Sequence, residues 1–190
     1  MTNNQSKILN VALNLFALHG YDAVGVQQIV VKADVTKPTL YHYFGSKKGL
    51  FESILVEKSV SLLQEVSEAS RYDGNIVYSV TRVVNTYFSI SQYQPMFYRL
   101  MLQTWFSPAT SETYESISNL HYQQFELIER LFIEASADHG NMKGRHRQYA
   151  VSLRGMIDTY IGLSLQGFIE LNNDDLVSRI VHQFLYGIFS

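Results

Sequence analysis

Apolar residues recur at spacings of three and four along almost the whole chain, which is the spacing of one face of an α-helix. The first apolar stripe runs from Ile8 to Phe16, and Gly20 follows it as a stop signal. Alternation of apolar and polar residues never continues long enough to predict a strand. The pattern therefore predicts an all-α protein.

The same periodicity predicts about nine helices in total. Two short helices follow the first, and Ser46 would then cap a long fourth helix. Pro95 and Pro108 occupy positions that suit the first turns of later helices. The short helices are predicted at about 26–33 and 37–43, and five more at roughly 75–91, 94–106, 110–137, 145–170 and 174–188, with breaks at 139–141 and 172–174.

The two short helices are each about two turns long, so neither would be stable alone. Two short helices joined by a tight turn form a helix-turn-helix unit. Asp34 is expected to adopt a positive φ where the second helix ends, and Thr36 is expected to cap the third. Leu40 and Phe44 are four residues apart and would face the core. The outward face then offers lysine, hydroxyl and imidazole groups, which suit the major groove of DNA.

Lys47 and Lys48 provide a second indication of DNA binding. They stand in the first turn of the fourth helix, where the helix dipole is positive and cations are unfavourable. A DNA phosphate at that end would remove the conflict. The alternative is that both are solvated surface lysines.

Charge and composition fit a local DNA contact in a reducing compartment. The chain has a net charge of −2, but residues 1–55 carry five basic against three acidic residues, so the positive charge lies at the N-terminal end. Cysteine is absent, and neither a secretory signal nor a membrane span is recognisable. We therefore expect a cytoplasmic protein that does not enter a membrane.

The stretch Val35–Leu50, with Ile8 to Phe16 and Gly20-Tyr21 before it, resembles the DNA-binding domain of the tetracycline-repressor (TetR) family. The Thr-Leu-Tyr-x-x-Phe core followed by Ser-Lys carries this resemblance, which covers about the first 55 residues. It implies a three-helix helix-turn-helix domain over residues 1–46 and a helical bundle for ligand sensing and dimerisation over 47–190. With the phosphate argument for Lys48, the expected DNA-binding residues are Gln27, Thr36, Lys37, Pro38, Thr39, Tyr41, His42, Tyr43, Lys47 and Lys48.

Residues 87–106 contain seven aromatic residues, with methionines between them. One interpretation is the ordinary core of a helical bundle. The other is a pocket for a small, mostly apolar effector, because rings and adaptable methionine side chains line such pockets. The expected ligand-binding residues are Tyr87, Phe97, Met101, Trp105 and Phe125.

The last two predicted helices are apolar around too much of their circumference for the surface of a monomer. They would be either buried in one core or shared with a second copy, and we favour a homodimer. The expected interface residues are Met156, Tyr160, Phe168, Ile180 and Phe184.

No catalytic triad, phosphate-binding loop or glycine-rich nucleotide motif is recognisable, so we expect no enzyme and no cofactor. His139 and His146 with Asp138 are separated by a glycine-containing break, and we expect no metal site there. The favoured function is a repressor that a small molecule releases from a palindromic operator in double-stranded DNA. The alternatives are an activator or adaptor, and a helical small-molecule-binding protein that merely retains the motif.

Overall fold

The computed structural model describes residues 3–172 and 174–187, and within these ranges the protein is helical with no strand. The all-α prediction and the count of nine helices are confirmed for the described chain. The helices are α1 (Asn3–His19), α2 (Val26–Ala33), α3 (Lys37–Phe44), α4 (Lys47–Ala69), α5 (Ile76–Tyr93), α6 (Pro95–Trp105), α7 (Tyr114–Ala135), α8 (His146–Leu165) and α9 (Asp174–Tyr186), with a 3-10 turn at Gly140–Met142 between α7 and α8.

Two helix ends differ from the prediction. Helix α8 ends at Leu165 rather than near 170, because Gly167 adopts a φ of 80° and the Phe168 amide turns back to the Leu163 carbonyl at 3.0 Å. These are the features of a Schellman helix end. Helix α7 begins at Tyr114 rather than near 110, because the chain after Pro108 first forms tight turns. Asn173 and Ile188, at the edges of the last predicted helix, lie outside the described residues.

The described residues form two compact units, each made of segments that are distant in sequence. The first comprises residues 3–60 and 94–120, and the second comprises the described residues of 61–93 and 121–187. Helices α4 and α7 each begin in the first unit and continue into the second. The first unit thus joins the three N-terminal helices to α6 and to the segment that leads into α7.

An aromatic cluster stabilises the first unit. The rings of Phe16, Tyr21 and Phe51 lie within 5.2 to 6.2 Å of one another, and all three side chains are buried. Helix α6 packs on α1, and the Gln103 side-chain amide donates to the Ala17 carbonyl at 2.8 Å. These contacts hold α1 in place beneath the two short helices.

Candidate nucleic-acid interface

The turn between α2 and α3 has the backbone that the sequence predicts. Asp34 has φ 51° and ψ 51°, the left-handed conformation that aspartate tolerates better than most residues other than glycine. The following amide, of Val35, donates to the Val30 carbonyl at 3.0 Å. At the other end of α2, the Gln28 side chain accepts from the Gly25 amide at 2.8 Å. Helix α2 is therefore defined at both ends by local hydrogen bonds.

Helix α3 is anchored by its apolar residues and leaves its polar residues outside. The Thr36 hydroxyl accepts from the Thr39 amide at 3.3 Å, which is the expected N-cap. Leu40 and Phe44 are buried, with 0% and 8% of their surface exposed, and this confirms their predicted orientation. The opposite face of α3 is free to meet another molecule, and its exposed residues include Lys37, Pro38, Tyr41 and His42.

The start of α4 lies close behind α3. The Ser46 hydroxyl accepts from the Gly49 amide at 2.9 Å, as a cap does. A Cβ on Gly49 would lie 2.1 Å from the Phe44 carbonyl oxygen, so only glycine permits this close approach. This approach places the two lysines of the α4 first turn directly after the recognition helix.

Lys47 and Lys48 both have partners within the first unit. The Lys47 ammonium lies 4.1 Å from the centroid of the Tyr21 ring, a cation–π contact. Partial burial lowers the pKa of Lys47, while Asp22 and Glu112 act in the opposite direction. Lys48 lies 3.8 Å from the Glu52 carboxylate. Both lysines are therefore partly exposed side chains that have partners within the single chain.

All ten predicted DNA-binding residues lie in the first unit, within α2, α3, the cap of α3 and the first turn of α4. None of the ten is buried, and six of them are exposed. The exposed six are Gln27, Thr36, Lys37, Pro38, Tyr41 and His42, and the half-buried four are Thr39, Tyr43, Lys47 and Lys48.

Comparison with known proteins agrees with this geometry. The profile of the family described as bacterial regulatory proteins, tetR family, matches residues 8–54, which contain α2, α3 and the start of α4. Residues 8–54 therefore belong to a domain of the tetR family. A related sequence, the transcriptional activator FasR of Mycolicibacterium smegmatis, is 28% identical over 99 residues, or 52% of this chain and 45% of FasR. The chain thus matches less than half the length of this relative.

Solved structures of the same fold cover nearly the whole of this chain. The fatty acid degradation regulator FadR of Bacillus halodurans has a TM-score of 0.80 at 18% identity, over 99% of this chain and 97% of that one. FadR of Bacillus subtilis, solved in complex with stearoyl-CoA, has a TM-score of 0.78 at 18% identity, over 96% and 98%. At these identities the likeness establishes the fold.

The five predicted ligand-binding residues divide between the two units. Phe97 and Met101 are buried in α6 of the first unit, where Trp105 is 44% exposed. Tyr87 is buried in α5 of the second unit, and Phe125 in α7 has the Arg147 guanidinium 5.7 Å from its ring. The aromatic residues that are close in sequence are therefore not all members of one compact unit.

A buried polar cluster in the second unit was missed by the sequence analysis. The Arg154 guanidinium lies 4.4 Å from the centroid of the Tyr87 ring, donates to the Gln124 side chain at 3.1 Å and pairs with Asp158. Tyr87 and Gln124 are completely buried, and burial raises the pKa of Tyr87 to about 12. The signal was a charged residue on the apolar stripe of α8, between Ala150 and Ile157.

The five predicted interface residues differ in exposure. They lie in α8, in the segment after it and in α9. Phe168 is 71% exposed, whereas Met156, Tyr160 and Phe184 are partly exposed. Ile180 is 1% exposed in the single chain, so its side chain is a core group and offers no surface to a partner.

Two cavities lie within the separate units. An open groove of about 520 Å³ in the second unit is lined by polar residues of α4 and α5, including Glu65, Tyr78 and Arg82. A smaller cleft of about 280 Å³ in the first unit is lined by the end of α1 and the turn after it, by the end of α6 and by the segment before α7, including Tyr21 and Thr113. None of the five predicted ligand-binding residues lines either one.

The described residues contain neither a metal-binding cluster nor a membrane-spanning helix. No group of three or more histidine, aspartate or glutamate side chains is placed to hold a metal ion within the described ranges. No helix in the described part of the chain is long and apolar enough to cross a membrane.

Proposed function

We propose that this tetR-family protein is a DNA-binding transcriptional regulator that places α3 in the major groove. The observation that carries the proposal is the division of α3, with Leu40 and Phe44 buried and Lys37, Pro38 and His42 exposed. Lysine and histidine can donate to guanine, and Pro38 can contact a thymine methyl group. The family is bacterial, so the protein would act in the cytoplasm.

The regulator acts as a homodimer on a palindromic operator in this proposal. Val151, Leu163 and Phe168 are exposed apolar residues on or just after α8, and they support a second copy as the partner. A Cβ on Gly155, which lies between Val151 and Leu163, would meet nothing within 4 Å, so the backbone is open to close approach there. Two-fold symmetry would place the two α3 helices about 34–36 Å apart, one turn of DNA.

A small, mostly apolar effector binds the second unit and releases the operator, in the repressor form of this proposal. The FadR neighbour that was solved with stearoyl-CoA provides a first candidate, an acyl thioester. FasR is an activator by name. The alternative is therefore a regulator that activates transcription, either with the effector bound or as the free protein.

Lys47→Ala is expected to weaken binding to every duplex by a similar factor, because a phosphate contact carries no sequence information. The slope of log affinity against log salt should decrease in magnitude by about 0.9 for the one lost contact. His42→Ala is the matched comparison, since it lies on the exposed face of α3 and should change base preference instead. Fluorescence anisotropy of labelled duplexes at several salt concentrations measures both effects.

The proposed docking geometry is wrong if Lys47→Ala leaves both affinity and salt slope unchanged. It is also wrong if His42→Ala alters the salt slope but leaves the ranking of duplex sequences as it was.

A further inference from the structure

We propose that Tyr21 and Glu112 are positioning residues for the phosphate contact of Lys47. They would set DNA affinity without touching DNA, and Glu112 is 65 residues beyond the lysine in sequence. This inference rests on the proposed DNA-binding function. It adds Glu112, which lies outside the tetR motif and outside the match over residues 8–54.

The Tyr21 side chain connects Lys47 to Glu112 directly. The Lys47 ammonium lies 4.1 Å from the centroid of the Tyr21 ring, and the Tyr21 hydroxyl donates to a Glu112 carboxylate oxygen at 2.6 Å. The Tyr21 ring packs against Phe16 and Phe51 on its inner side, and the bond to Glu112 holds its outer, hydroxyl end. All of these residues belong to the first unit.

The hydrogen bond between Tyr21 and Glu112 should persist at every pH at which DNA binding is measured. Burial, the bond to Glu112 and nearby acidic groups all raise the pKa of Tyr21 above its usual value of 10.0. The hydroxyl therefore keeps its proton and remains a donor, and a charge-assisted bond of this length is a strong one.

A parallel connection holds the neighbouring lysine. Lys48 lies 3.8 Å from Glu52 Oε1, and the same carboxylate oxygen accepts a hydrogen bond from the Ser116 hydroxyl at 3.1 Å. Both lysines at the start of α4 are therefore linked through one residue each to the short segment 112–116.

The function of these links is to restrict lysine side chains that are otherwise flexible. A free lysine loses rotamer entropy when it is fixed on a phosphate, and a lysine already held over a ring loses less.

A double-mutant cycle on the full chain tests the proposal. The four proteins are wild type, Tyr21→Phe, Lys47→Ala and the double variant, and the probe is a random-sequence 30-base-pair duplex at low salt. Tyr21→Phe keeps the ring and loses only the hydroxyl, so we expect a roughly 2- to 10-fold loss of affinity in the wild-type background. In the Lys47→Ala background the same change should have no effect, because the residue through which it acts is gone.

Controls separate positioning from a structural effect. Tyr114→Phe removes the hydroxyl of another tyrosine of the first unit, which is 39% exposed, and should leave affinity unchanged. A second cycle pairs Ser116→Ala with Lys48→Ala and should show the same dependence. Circular dichroism and thermal unfolding confirm that each variant folds.

An equal loss from Tyr21→Phe in both backgrounds overturns the proposal, as does no loss in either. Failure of the wild type itself to bind any duplex would instead contradict the proposed function, so the two failures are distinguishable.

Discussion

Leu163→Glu is expected to convert a homodimer into monomers and to weaken operator binding by about 100-fold or more, since two linked heads bind far more tightly than one. Leu163 is 38% exposed and shares one face of α8 with Val151 and Gly155. In a dimer interface the new carboxylate would be buried without a partner, which costs several kcal/mol. In a monomer it would remain solvated, so the fold should persist. Sedimentation at micromolar concentration and an operator titration measure the two effects.

Val77→Glu provides the matched control for this prediction. Val77 is 40% exposed on α5, and the same charge there should leave the dimer intact. Phe184→Glu is a poorer test, because the Phe184 ring packs 6.0 Å from buried Phe132 and a charge there would damage the core as well. A wild-type monomer at micromolar concentration, or a dimeric Leu163→Glu variant, would defeat the proposed interface.

Stearoyl-CoA is expected to reduce operator affinity by roughly 5- to 150-fold, which corresponds to a coupling free energy of about 1–3 kcal/mol. The reduction requires that the ligand favour one arrangement of the two heads over the other. Helices α4 and α7 provide covalent continuity from the second unit to the first-turn lysines and to segment 112–116. Free coenzyme A, which lacks the acyl chain, is the control and should have little effect.

Linkage provides a second, independent check of the effector prediction. Operator DNA must lower the affinity for stearoyl-CoA by the same factor by which stearoyl-CoA lowers the affinity for DNA. Trp105 is the only tryptophan in the sequence and is half-exposed in α6, so its fluorescence reports on the first unit. Tight binding of stearoyl-CoA with unchanged operator affinity would show that this ligand does not operate the switch.

The helix-turn-helix region was predictable because its determinants are local. The left-handed Asp34, the Thr36 cap and the burial of Leu40 and Phe44 each depend on residues within four positions of one another. Spacing alone decides such features, and the structure has all of them. The determinant of the α8 end was also local. Gly167 is a usual helix stop, but the predicted helix extended past it.

The long-range contacts that position the candidate DNA-binding residues were not predictable from the spacing of apolar residues. The bond between Tyr21 and Glu112 joins residues 91 positions apart, and the apolar stripes of α1 and α6 do not indicate that these two helices pack on each other. Aromatic density around 87–106 did not show which rings are buried: Tyr87 and Phe97 are buried in different units, whereas Trp105 is 44% and Phe106 86% exposed. Composition therefore indicates neither the burial of a given ring nor the neighbours that it meets.

Selection of bound duplexes from a random pool, followed by sequencing, tests the central claim most directly. The purified full chain should enrich a palindromic sequence whose two half-sites are centred about 10 base pairs apart, one helical turn. The Lys37→Ala variant, which alters the exposed face of α3, should enrich a different or weaker sequence. Absence of any enriched sequence, together with no duplex binding at micromolar protein and low salt, would contradict a DNA-binding regulator.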